Sequence, residues 1–385
     1  MKAIMKVCLI GWVASAGIMA LAQEGNNTLE EEQRLKQAFQ STDGADLVAF
    51  LKTRAQAEVN PEKLARLIEQ LGSANAPERT KAAGDLVAIG SPAIPNLRQV
   101  ARDTDSPDKA ALAQRCLKIL DEDPGLVTTA AVRLLAARKP PGTAEALLAY
   151  LPHAESENVM DELRNALTSV AYEKGQANPA LLKALAGPHP LQRAGAIVAL
   201  CSRGIAEPRD QLRKLLSDPM PSVRLRAGLA LARAHDAKAV STLITLFPDL
   251  PETQAKEVET YLNELAGDQA PKVAVSSDAT SRTKARDAWA VWWLESEGSN
   301  LLDELKKRTL TDADSTQAWA LIEKLGDDSF EERQKAEDEL KKLGSRILPL
   351  LRQATRNNDL EIRNRAGKVL SAIEKDQTTP LSPVV

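Results

Sequence analysis

The chain has 385 residues, 43% hydrophobic but only 3% aromatic, and a formal net charge of −3. Ala and Leu dominate while β-branched and aromatic residues are sparse, which favours helix and argues against a large sheet. The mild acidity, with no basic block, argues against nucleic acid as a partner. Length alone allows two or three globular domains, but a repeat array can also run this long as one body.

The first residues read as a leader. Lys2 and Lys6 form a positive start, Val7 to Met19 is apolar, and Ala20-Leu21-Ala22 is a small-x-small cleavage site. Residues 1–22 are therefore expected to be a signal peptide. The alternative is an uncleaved anchor, the only route to a membrane. The apolar run is short for a span of about 20 residues. Cys8 lies inside the run and not at the cleavage point, which argues against a lipid anchor. The expected location is the periplasm, the cell surface or the medium. Cleavage removes two lysines and takes the charge to −5.

Residues 23–57 are expected to be N-terminal capping helices. Thr28-Leu29-Glu30-Glu31 forms a capping box opening a helix to about Phe39, and a second helix spans about Ala45 to Gln56. Residues 58–266 form the main repeat array. Helix starts recur at Asn60-Pro61, Ala76-Pro77, Ser91-Pro92 and Ser106-Pro107. Proline suits the first helical position, and Asn or Ser before it caps the helix. Such spacing makes helices of about a dozen residues joined by short turns, a train of antiparallel pairs.

The interiors keep one rhythm: Arg, Ala three later, Leu seven later and a loop residue eleven later. The sets are Arg79/Ala82/Leu86/Gly90, Arg193/Ala196/Leu200/Gly204, Arg224/Ala227/Leu231/His235 and Arg333/Ala336/Leu340/Gly344, with Arg363/Ala366/Leu370 lacking the glycine. The first three positions share a helix face. Small Ala admits the neighbouring helix, Leu fills the core, and Gly allows a left-handed C-cap. Asp218 and Asp327 lie six before Arg224 and Arg333. An acid there can bond that guanidinium or cap the next helix. Arg79, Arg193, Arg224, Arg333 and Arg363 are accordingly read as structural, over a functional anion site.

Pro251 to Leu265 is a further helix. Residues 267–281 have no apolar period and read as a linker between the main array and the C-terminal part. Residues 282–312 are Trp-rich, with helices at about Arg282 to Glu297 and Leu301 to Arg308. Residues 313–375 are the C-terminal unit, and 376–385 a disordered tail. Within that unit Leu321 to Ile373 nearly duplicates Leu67 to Leu120; both begin LIE-x-LG and continue through a proline and Leu-Arg-Gln.

Asp218-Pro219-Met220-Pro221-Ser222-Val223-Arg224-Leu225-Arg226-Ala227 resembles the motif of HEAT repeats, in the short bacterial form also called PBS-lyase-like. The blocks Ala131 to Pro152, Leu265 to Pro271 and Arg286 to Trp293 resemble secreted HEAT-repeat proteins of planctomycete-type bacteria. The resemblance covers most of residues 62–375. It implies an all-α, right-handed α-solenoid of antiparallel helix pairs, and a protein-binding role. The family's iron-dependent hydroxylases use His-Glu pairs, and this sequence has no His-Glu dipeptide. Some relatives carry a β-propeller-like region after the Trp-rich segment; here another HEAT-like unit follows.

Trp289, Trp292 and Trp293 occupy one helix face. They are either bulky core at a joint or a surface for stacking sugars or docking a partner. Arg282, Lys284 and Arg286 make a small basic rim, which with Asp287 and Glu295 beside it reads as a solvated face over an anion site. His153, His189 and His235 have no partner at metal-ligand spacing and read as turn or surface residues. The acidic clusters Glu30-Glu31-Glu32 and Asp327-Asp328 suit helix first turns over calcium. Cys116 and Cys201 read as buried free thiols, a disulfide being the alternative. No catalytic residue, metal or cofactor is expected. The expected function is a non-catalytic exported scaffold for an unidentified protein partner, with Arg102, Arg226, Arg233, Arg352 and Arg356 lining its concave face. The alternative is binding of a cell-envelope glycan through Trp289, Trp292 and Trp293.

Overall fold

The computed structural model describes residues 28–56, 59–122, 124–173, 175–202, 209–296, 298, 302, 312–357 and 359–378. The expected leader, Gly204 of the Arg193 set, the expected helix at Leu301 to Arg308 apart from Leu302, and the last seven residues lie outside them. Two compact units divide at Val170 and Ala171. That boundary differs from the expected linker at 267–281. Those residues form a 3-10 turn, Gly267–Gln269, and an irregular stretch whose Val275 is buried, and they lead into a helix that packs back on its own unit.

The first unit contains α1 (28–37), α2 (Gly44–Arg54), α3 (Pro61–Gln70), α4 (Ala76–Ile89), α5 (Ile94–Val100), α6 (Pro107–Glu122), α7 (Pro124–Arg138), α8 (Thr143–Tyr150) and α9 (Glu157–Ser169). Proline and asparagine set the starts as expected at α3, where Asn60 Oδ1 accepts from the amides of Glu62 and Lys63. Ser91-Pro92 behaves differently. It opens a single 3-10 turn, Ser91–Ala93, and the α-helix begins only at Ile94. The reason is Gly90, whose φ of 78° and ψ of −140° end α4 in a region open only to glycine. Gly344, at φ 66° and ψ −151°, turns the chain the same way. These glycines have the expected positive φ, but their ψ is extended and not left-handed helical.

The N-terminal helices do not lie at one end of their unit. α2 packs on α7 and α8 along one side and on α4 along the other. Glu31 bonds Arg133, which also holds Glu162; Glu32 and the Thr42 carbonyl hold Arg138. On the other side Gln40 Nε2 donates to the Gly84 carbonyl at 2.8 Å, and the Arg115 guanidinium sits over the Phe39 ring. The approach is close enough that a Cβ on Gly84 would lie 2.4 Å from the Phe39 carbonyl oxygen. The helices expected to cap the array instead form a wedge between its first two modules. Local spacing fixes each helix but not its neighbours, so the linear order misleads here.

The second unit opens with a two-stranded antiparallel hairpin, Tyr172–Glu173 with Gln176–Ala177. Helices follow: α10 (Pro179–Ala184), α11 (Pro190–Leu200), α12 (Arg209–Leu215), α13 (Pro221–Arg233), α14 (Ala237–Thr245), α15 (Glu252–Ala266), α16 (Ala279–Glu295), α17 (Asp312–Lys324), α18 (Phe330–Leu343), α19 (Leu348–Ala354) and α20 (Leu360–Thr378). α11 packs on α13, α13 on α14, and α16 on α14 and the Phe247–Asp249 turn. The Trp-bearing helix thus continues the stack. α20 also runs three residues into the expected tail.

The shared rhythm is a packing rule. Ala82, Ala196, Ala227, Ala336 and Ala366 are buried, as are Leu86, Leu200, Leu231 and Leu340. Fully burying each such leucine contributes about 1.5–3 kcal/mol. The last module, α17 to α20, has its own core of Ile322, Leu325, Leu340, Leu351 and Val369. Both units are therefore all-α solenoid arrays of antiparallel pairs.

Candidate functional site

The arginines that open four of the five sets perform one repeated task. In each, Nη1 donates to the carbonyls six and five residues earlier, in the turn leading into its own helix. Arg79 reaches Ser73 and Ala74 at 2.7 and 3.1 Å; Arg193 reaches Gly187 and Pro188 at 2.9 and 3.0 Å. Arg224 reaches Asp218 and Pro219 at 2.9 and 3.1 Å, and Arg333 reaches Asp327 and Asp328 at 2.6 and 3.0 Å. These carbonyls follow the end of the preceding helix and lack intrahelical donors, so a guanidinium is well suited to satisfy them. Arg363 opens α20 and is half-buried.

The acid in the turn serves a different partner from the one expected. Asp218 does not bond the guanidinium of Arg224, which takes its backbone carbonyl instead. Its carboxylate grips Arg193 of the preceding pair, Nε to Oδ2 at 2.8 Å and Nη2 to Oδ1 at 2.9 Å, and accepts the Met220 amide. Arg224 in turn holds Asp249 through Nη2 at 2.9 Å. Arg333 faces Glu361 at 3.4 Å. The result is a ladder whose rungs join successive pairs, with each acid 25 or so residues beyond its arginine.

A further rung went unread in the sequence. Arg282 Nη1 bonds the carbonyls of Ser276 and Ser277 at 3.2 and 2.6 Å, again six and five earlier. Ala285 and Trp289 occupy the Ala and Leu positions and are fully buried. The signal was present: tryptophan replaces leucine in an otherwise regular set. Trp289 is therefore core, packed edge-on against Trp292 at 5.3 Å between centroids. Trp292 is 7% exposed and Trp293 half-buried. Trp289 and Trp292 present no ring face on which a sugar can stack. Their indole N–H groups are buried without an acceptor.

The provisional lining residues are scattered. Arg102 is exposed in the turn after α5, in the first unit. Arg226 is half-buried on α13 and bonds Glu257 at 2.5 Å, while Arg233 is exposed at the end of the same helix. Arg352 is exposed on α19 and pairs with Glu374 at 3.0 Å; Arg356 is exposed in the turn beyond. α13 is the first helix of its pair and α19 the second of its own, so the second-unit arginines do not share one helix layer.

His153 stacks on Tyr150, His189 precedes α11, and His235 sits at positive φ after α13. Among the described residues no three His, Cys, Asp or Glu gather as a metal site, and no helix is long and apolar enough to cross a membrane. Neither Cys116 nor Cys201 is in a disulfide. Burial pushes the Cys116 thiol up to about 12. At pH 8 its thiolate fraction is then about one part in 10,000, and the thiolate is the nucleophile. Residues 23–385, kept folded, should therefore release a single fast equivalent with a thiol reagent, from half-buried Cys201. Cys116 should react only after urea is added; two fast equivalents would contradict its burial.

An all-α array of antiparallel pairs tied by an arginine ladder defines the class: an α-solenoid. Residues 178–273 match the family model for HEAT repeats. That segment, α10 to α15, is a run of HEAT repeats. No curated protein matches it. Among solved structures, the crystal structure of an engineered protein aligns with 90% of this chain and 99% of its own, at 19% identity and a TM-score of 0.26.

Proposed function

We propose that the protein is an exported, non-catalytic scaffold that binds a protein partner along its helix array. The observation that carries this reading is the HEAT match over α10 to α15, where successive pairs repeat at 31 residues from Arg193 to Arg224. Stacked pairs create extended surfaces suited to long partners. The ladder supports the same reading: it spends its buried polar groups on holding pairs together and leaves Arg233, Arg352 and Arg356 exposed on helix ends. Export rests on the leader pattern of residues 1–22.

The test is affinity purification of residues 23–385 from envelope extract, identification of partners by mass spectrometry, and reconstitution with the purified partner. A direct, saturable complex is the expected result. Failure of every captured protein to bind in reconstitution would overturn the scaffold reading. N-terminal sequencing of the protein from the native envelope should begin at Gln23; a chain starting at Met1 would remove the export reading.

A further inference from the structure

Among the described residues, the Arg282 rung of the ladder has no carboxylate. At Arg193, Arg224 and Arg333 one edge of the guanidinium holds backbone carbonyls and the other meets a carboxylate of the next pair. Arg282 has the carbonyl contacts but, among the described residues, no carboxylate beside it; its buried Nε lacks an acceptor, as does that of Arg333. Asp218 and Asp249 lie 25 residues beyond Arg193 and Arg224, but the residue 25 beyond Arg282 is Lys307, a base. Nη2 is the edge that meets a carboxylate in the Arg224 rung, and a charge-assisted bond there is the one the Arg282 rung has yet to make.

The neighbouring charges suit an incoming anion. Lys272 and Lys284 are exposed, and half-buried Arg286 adds a third cation, itself paired with Asp287. Asp278 is committed to the Ser281 amide as the cap of α16. Arg79 also lacks an acid, with Thr104 at the corresponding position, but Asp103 and Asp105 flank that position and disfavour an anion. At Arg282 the neighbouring acids are already engaged, Asp278 with the Ser281 amide and Glu259 with the Val275 amide.

We propose that Arg282 is a docking site for an Asp or Glu carboxylate of a partner protein, which completes the ladder from outside in the way Asp249 completes it at Arg224. The Arg224 rung is the template: Nη1 on two carbonyls, Nη2 on one carboxylate oxygen at 2.9 Å. This rests on the scaffold reading and adds the chemistry of the partner, an acidic segment. Because Arg282 Nη1 is anchored to the Ser276 and Ser277 carbonyls, the fork is presented in a fixed orientation, which limits the ordering cost of binding. A lysine has a single donor nitrogen and no planar fork, so it cannot present one edge to the carbonyls and another to a carboxylate.

The experiment uses a fluorescein-labelled Asp-rich dodecapeptide, with the matching Asn-rich peptide as control, and anisotropy with residues 23–385 at low salt. The expected result is saturable binding of the Asp peptide alone, weakened at least fivefold by both Arg282→Lys and Arg282→Ala. Arg286→Ala, which removes a nearby cation outside the ladder, should change it less than twofold. Melting by circular dichroism shows that the variants stay folded; Arg282→Lys keeps the charge and is the decisive variant if Arg282→Ala does not fold. Equal binding by wild type and Arg282→Lys, equal binding of the Asn peptide, or no binding would each overturn the proposal. The scaffold reading is judged separately: a reconstituted partner whose affinity ignores Arg282→Lys keeps the scaffold and removes this site.

Discussion

Asp218→Ala should lower the stability of the second unit by about 3–5 kcal/mol, the usual cost of stranding one member of a buried ion pair. Arg193 and Asp218 are each under a tenth exposed, and the bonds between them are bidentate. Removing the carboxylate leaves Arg193 Nε and Nη2 without acceptors and strips the start of α13 of its bond to the Met220 amide. Asp249→Ala is the internal comparison. It breaks the next rung of the same ladder, but Asp249 is 55% exposed and makes a single contact. Its loss should cost less than about 1 kcal/mol. Urea unfolding of residues 23–385, followed by far-ultraviolet circular dichroism, separates the two through the shift in midpoint at constant slope. Equal shifts would mean that the buried rung contributes no more than the exposed one. Arg193→Ala should cost a similar amount, and the double variant less than the sum of the singles, because the second removal takes away a group already stranded.

The repeating chemistry was legible because it is local. Arg at zero, Ala at +3 and Leu at +7 define a buried stripe, and each of those alanines and all the leucines but half-buried Leu370 are found in the core. The role of the arginine was legible too, but its partners were not. Six residues between Asp218 and Arg224 suggest a side-chain pair, yet the same turn offers backbone carbonyls that have no other donors, and these take Nη1 first. The acid is then available to the pair before it. Arg282 was overlooked for the opposite reason: tryptophan in the leucine position concealed the set. The indoles suggested a surface because aromatic clusters often mark one, whereas Trp289 fills a core position that leucine fills elsewhere.

The duplicated modules show what a sequence can say about neighbours once a template exists. At the places occupied by Ala83, Gly84 and Val87 in the first module, the last module has Glu337, Asp338 and Lys341. The first set is buried beneath the wedge of α1 and α2. In the second set Asp338 and Lys341 are exposed, and Glu337 is paired with Arg365, which stands where the first module has Leu112. One module is built to be covered and the other to face water, as an outer repeat of an array requires. The same structural position thus accepts an apolar contact or a buried ion pair, depending on what lies over it. From the sequence alone, the apolar face of the first module announces a cover but does not say that residues 28–54 supply it.

Arg54→Ala should release that cover. Arg54 is the residue of the wedge that touches both sides: Nη1 donates to Thr128 Oγ1 at 2.9 Å and pairs with Glu155, while Nη2 reaches the Val87 carbonyl at 3.3 Å. Its side chain is 5% exposed. Glu155 is shared with the Tyr150 hydroxyl, whose pKa is pushed well up, first by burial and then by the Glu155 charge. Deleting the guanidinium removes the cation beside Glu155, which keeps its bonds from Thr128 and Tyr150, and takes a donor from the Val87 carbonyl, a loss of about 1.5–3 kcal/mol. The loss should be local, because repeat arrays transmit stability through neighbouring contacts. Hydrogen exchange read by mass spectrometry should show faster exchange in α1, α2, α7 and α8 and unchanged protection in α17 to α20. Arg54→Lys should fall between, since an ammonium can keep the charge near Glu155 but cannot span to Thr128 and Val87 at once. Unchanged exchange in α1 and α2 would show that the wedge is held by its apolar contacts, Leu35, Leu47 and Leu51, and not by the clamp. A uniform rise through both units would show that the array unfolds as one cooperative block, and that the wedge is part of its core.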